Sequence, residues 1–124
     1  MKDSFLLPYE VYQIYVESYK ALCNELPIVA GMGIRAVIEA VCKEKSAKGR
    51  NLAEKIDSLM MTDMITKEET KILHDIRYLG NEAAHEVKVH TEEELKAAFD
   101  VLEHLLRGVY ILPKCAETLI KDKK

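Results

Sequence analysis

Residues 66–106 read TKEETKILHDIRYLGNEAAHEVKVHTEEELKAAFDVLEHLL, and this stretch decides the fold. Thr66 followed by Glu69, and Thr91 followed by Glu94, are two capping boxes. In each, the threonine hydroxyl takes the N–H of the third residue on, and the glutamate carboxylate reaches back to the N–H of the cap. Behind the first box Ile72, Leu73, Ile76, Leu79 and Ala83 recur at helical spacing. Behind the second, Leu95, Ala98, Phe99, Leu102, Leu105, Leu106 and Val109 do the same. Pro113 has no amide hydrogen to give, so it ends or kinks the second of these helices.

The pattern extends toward the N-terminus. Pro8 suits the first turn of a helix, and Tyr12, Tyr15, Val16, Tyr19, Leu22 and Cys23 then form one largely apolar face, to about Glu25. Pro27 marks a new start. From Ile28 to Cys42 the chain is apolar almost all round, interrupted only by Arg35 and Glu39, one helical turn apart; such a helix is a buried one. The polar segment KEKSAKGRN, residues 43–51, reads as a loop. Asn51 with Glu54 then caps a short helix using Leu52, Ile56, Leu59 and Met60. No useful length of chain alternates as a strand does. The expectation is an all-α, compact bundle of about five helices in a single domain, residues 1–124, with its core over 8–112 and a C-terminal tail at 113–124.

Composition agrees: 48% of the 124 residues are apolar, Trp is absent, and there are only five Gly and three Pro. A formal net charge of −3 argues against gripping nucleic acid through bulk charge, which needs a positive field. A local patch remains open, the best being Lys43, Lys45, Lys48, Arg50 and Lys55, with a smaller one at Lys121, Lys123 and Lys124. Cys23, Cys42 and Cys115 are odd in number and never in C-x-x-C spacing, so they read as small core residues, neither a disulfide framework nor a zinc site. The N-terminus lacks a signal-peptide run and no stretch approaches the roughly 20 apolar residues of a membrane span; the expectation is a cytoplasmic protein that does not enter the membrane.

Three side chains on the fourth helix invite chemistry. Arg77, Asn81 and His85 advance by about 40° per step and so share one helix edge, which His74 joins. Gly80 interrupts the helix at a cost near ~1 kcal/mol relative to Ala, which implies close packing there. Ala83 and Ala84 extend this small-residue surface, suited to close approach of another helix.

The string RYLGNEAAHE, with the upstream R-x-x-x-E of Arg35 and Glu39 and the run LAEKIDSLM, resembles a bacterial domain-of-unknown-function family found alone, fused to other modules, and at the N-terminus of type I restriction-enzyme R subunits. That family is counted among the relatives of the HEPN (higher eukaryotes and prokaryotes nucleotide-binding) superfamily. The likeness covers roughly Pro8 to Ile111. It implies an all-α bundle, a homodimer, an RNA or nucleotide ligand, and a protein partner in a defence, restriction or toxin–antitoxin system.

In active HEPN ribonucleases an Arg and a His, four to six residues apart on one helix, cleave RNA without a metal. A ribose 2′-OH attacks the neighbouring phosphate, His moves the proton, and Arg stabilises the charge on the phosphorane. By this resemblance His85, Arg77 and Asn81 are the candidate catalytic residues, and Arg35, Glu39 and Gly80 the candidate binding or structural network. The sequence departs from the active pattern in that Gly80 stands where the Arg commonly precedes the polar residue. Arg77 lies eight residues before His85, an axial rise of about 12 Å. The competing reading has Arg77 pair with Glu39, with Arg35 in the same network, as a buried charge requires.

Neither reading calls for a metal or cofactor. HEVKVH is not H-E-x-x-H: its two His are five apart, where the helix gives way to a loop. Two functions follow as expectations: a non-catalytic binding or dimerisation module of a nucleic-acid-related system, or a metal-independent endoribonuclease.

Overall fold

The structure is a computed structural model that describes residues 3–122, with side chains as far as residue 120. After a short 3₁₀ turn at Ser4–Leu6 come α1 (Tyr9–Cys23), α2 (Pro27–Glu44), α3 (Leu52–Met61), α4 (Lys67–His85) and α5 (Glu92–Leu106). A wide π turn at Arg107–Ile111 leads into α6 (Leu112–Asp122). The fold is all-α. Both capping boxes are made with both of their hydrogen bonds, and the Asn51 side chain accepts the Glu54 N–H at 2.9 Å.

Helix α2 is the axle of the bundle, as its all-round apolar sequence requires. Ala30, Ile34, Val37, Ile38, Val41 and Cys42 are all buried, touched from different sides by α1, α4 and α5. Two contacts let α4 come unusually close. A Cβ built on Gly31 would stand 2.8 Å from Ala83 Cβ, and one on Gly80 would stand 2.7 Å from Arg35 Cβ. Residues 31 and 35 rise along α2 as 83 and 80 descend along α4, so the two helices run antiparallel with backbones nearly touching. Interior burial of the large side chains between them stabilises the bundle by about 1.5–3 kcal/mol each.

One expectation, that for the cysteines, changes. The tail at 113–124 is a helix as far as Asp122. The helix is interrupted at Pro113 as expected: α5 gives way at Leu106 to the π turn just before the proline, which accommodates the missing i→i−4 bond there, and the chain continues helical as α6. Of the cysteines only Cys42 is in the core, where burial pushes its thiol up to about 11; Cys23 and Cys115 are exposed. Of the basic cluster Lys121, Lys123 and Lys124, the last two lie outside the described residues, as does the side chain of the first.

Among the described residues no helix is long and apolar enough to cross a membrane.

Candidate functional site

The polar edge of α4 exists, but its members do not meet. His74, at the edge's N-terminal end, reaches α3, its Nε2 standing 2.8 Å from Asp57 Oδ1. Arg77 is half-buried and lays its guanidinium over the ring of Tyr78, 4.6 Å from the centroid. Asn81, one turn on, is half-buried. His85 is the last residue of α4 and is exposed. No hydrogen bond joins any two of these four, in keeping with the long Arg77 to His85 spacing.

Two atoms of this edge lack what burial demands. Arg77 Nε and Asn81 Oδ1 are inaccessible to solvent and have no hydrogen-bond partner among the described residues. One is a charge-bearing donor and the other an acceptor. Buried polar groups almost always find partners, and each one left without costs about 1–3 kcal/mol.

The Arg77–Glu39 pairing is not formed. Glu39 takes the nearer cation: Arg35 Nε donates to Glu39 Oε1 at 2.7 Å within α2. A pair four residues apart on one helix forms at less conformational cost than one across helices, which leaves Arg77 to its aromatic neighbour. Gly80 lies against the Arg35 backbone, with Arg35 Cα and N each 3.3 Å from where its Cβ would be. The close approach read from Gly80 is therefore real, but α2 of the same chain occupies it. Ala83 is likewise buried against Gly31, so most of the small-residue surface is used inside the protomer.

His90 is the residue that sequence reasoning undervalued. It is buried, its Nε2 stands 3.2 Å from the Leu79 carbonyl and its Nδ1 3.4 Å from Glu94 Oε2. It ties the loop after α4 back onto α4 and onto the cap of α5. The Glu94 carboxylate is held below its ordinary range by the Thr91 N–H first, then by the Thr91 hydroxyl and His90. A signal was present in the sequence: His90 immediately precedes a capping box, where a side chain commonly packs back onto the helix. His85 and His90 thus serve different places, and among the described residues no group of three or more His, Cys, Asp or Glu is arranged to hold a metal ion.

An all-α bundle built round one apolar helix, with an unsatisfied polar edge on its fourth, is the class of protein that fold and site define. The chain belongs to the family described as domain of unknown function DUF4145, whose model matches residues 16–123. No curated protein and no solved structure is significantly similar to it.

Proposed function

We propose that this domain is a non-catalytic helical binding module, homodimeric, serving a nucleic-acid-related defence, restriction or regulatory system. The observation that carries the reading is the pair of orphaned atoms, Arg77 Nε and Asn81 Oδ1, buried one turn apart on one helix edge. Folding alone gives no return for desolvating them; a partner that offers an acceptor to one and a donor to the other does. An RNA base edge, a nucleotide or a polypeptide backbone presents such groups together.

The system to which the module belongs is read from the resemblance of RYLGNEAAHE and the Arg35–Glu39 pair to restriction-associated HEPN relatives. Dimerisation rests on that resemblance and on apolar side chains left outside the bundle, among them Leu112, Leu119 and Ile120 of α6. It no longer draws on Gly80.

The second reading, a metal-independent endoribonuclease, is favoured by one feature: His85 is open to solvent at the end of α4. It lacks an arginine at hand, since Arg77 is stacked on Tyr78 and Arg35 packs against Gly80, more than a helical turn before His85. Incubation of the protein and of a His85→Ala variant with total cellular RNA and a chelator separates the two. The binding module predicts intact RNA with both proteins. Cleavage that is lost in the variant and leaves 2′,3′-cyclic phosphate ends would establish the nuclease in its place.

A further inference from the structure

Arg35 also lines a groove of about 500 Å³ between α1, α2 and α3, to which α4 contributes no residue. That size is typical of a small-molecule site. Its polar walls are Arg35, Lys43 and Lys55 against Glu10 and Glu39, one positive charge in excess in a chain whose net charge is −3. Ile14 and Leu52 contribute apolar surface between them. The sequence placed Lys43 and Lys55 in a diffuse basic cluster; folding brings these two beside Arg35.

Each cation has capacity to spare. Arg35 uses only Nε on Glu39, so its terminal nitrogens carry no protein acceptor among the described residues, while the carboxylate fixes the plane of the fork. Lys55 is half-buried and has no hydrogen bond or ion pair among the described residues. Lys43 meets Glu10 at 3.4 Å, both side chains well exposed, and a loose surface pair of this kind is given up at little cost. A single carboxylate ligand would be satisfied by one arginine fork; three cations lining one groove match an anion of higher charge with several acceptor oxygens, which is a phosphate.

We infer that this groove binds a small phosphorylated ligand, its phosphate held by Arg35, Lys43 and Lys55 and its body laid against Ile14 and Leu52. The site is distinct from the α4 edge and does not rest on the function proposed above, so the fate of RNA in that experiment leaves it untouched.

The test is an amide-resolved NMR titration of the whole chain with inorganic pyrophosphate, with ADP, and with sodium acetate at matched ionic strength. The expected result is saturable shifts confined to the walls of this groove, produced by pyrophosphate and more tightly by ADP, and none by acetate. Lys55→Ala and Lys43→Ala truncate side chains that lie outside the buried core, and each is expected to weaken binding about tenfold, the value of one charge-assisted hydrogen bond. Absence of shifts at about 10 mM of either phosphate, or shifts that Lys55→Ala leaves unchanged, would overturn the site. ADP binding no tighter than pyrophosphate would overturn the role given to Ile14 and Leu52.

Discussion

Gly80 of α4 rests on Arg35 of α2, so closely that a methyl group at position 80 would come within 2.7 Å of Arg35 Cβ and 3.3 Å of its backbone. Two effects compete on adding that methyl. Alanine is the better helix former by ~1 kcal/mol. Against it, the clash includes backbone atoms that cannot swing aside, and overpacking of this kind costs typically about 1–3 kcal/mol. The clash wins: Gly80→Ala is expected to lower the unfolding free energy by about 1–2 kcal/mol in urea denaturation. Gly108, in the π turn, would meet nothing within 4 Å, and Gly108→Ala is expected to change stability in the opposite direction or not at all. A stabilised Gly80→Ala would mean that α2 and α4 are not in contact there.

The helix starts of this fold were legible because their chemistry is local. Thr66 with Glu69, Thr91 with Glu94, and Asn51 with Glu54 each satisfy backbone N–H groups within four residues, so the signal sits in adjacent letters. The helix ends were less so. Helices α1 to α4 each give way to a residue of positive φ that is not glycine: Glu25 (56°), Ser46 (55°), Asp63 (61°) and Val87 (51°). With no glycine to mark the turn, α1 looked longer and α2 shorter than they are. The candidate site was half legible. Helical periodicity placed Arg77, Asn81 and His85 on one edge, but which cation Glu39 would choose depends on the distance between α2 and α4, and His90 acquires its role only when the loop folds back onto Leu79.

If the α4 edge is shaped for a partner and not for the isolated fold, relieving an orphan there must stabilise the domain alone. Asn81→Leu keeps the volume and removes the buried, unpaired Oδ1. It is expected to raise the unfolding free energy by about 1 kcal/mol, while Asn81→Asp, which buries a charge, lowers it. Thermal denaturation of both variants checks this. A destabilised Asn81→Leu would show that Asn81 already has a partner inside the fold.

The cap of α5 makes stability sensitive to acid. Glu94 is held ionised by the Thr91 N–H, the Thr91 hydroxyl and His90, so its folded pKa lies below its unfolded one. For a depressed carboxylate the contribution is fully present above the unfolded pKa and fades as pH falls through the folded one. Glu94→Gln is therefore expected to lower the melting temperature at neutral pH and to flatten its decline through the carboxylate range. Parallel curves for the two proteins in that range would remove the carboxylate's charge from the account.

Val87 carries the most strained turn among these helix ends. Its φ of 51° puts a β-branched side chain in the left-handed region, where Cβ crowds the following carbonyl at a cost of roughly 1–2 kcal/mol. The turn is held in place regardless: Lys88 N–H reaches the Glu82 carbonyl at 3.1 Å, and its ammonium meets the Glu82 carboxylate at 3.0 Å. Val87 is exposed, so its side chain contributes little burial to offset the strain. Val87→Gly removes the crowding but adds freedom to the unfolded chain, and the balance is a gain of about 0.5–1 kcal/mol. Val87→Asn, which tolerates this region better than valine, is expected to gain less. The order Gly, Asn, Val in melting temperature checks the conformation; a loss of stability with glycine would place residue 87 at negative φ, and with it move the loop that carries His90 onto Leu79.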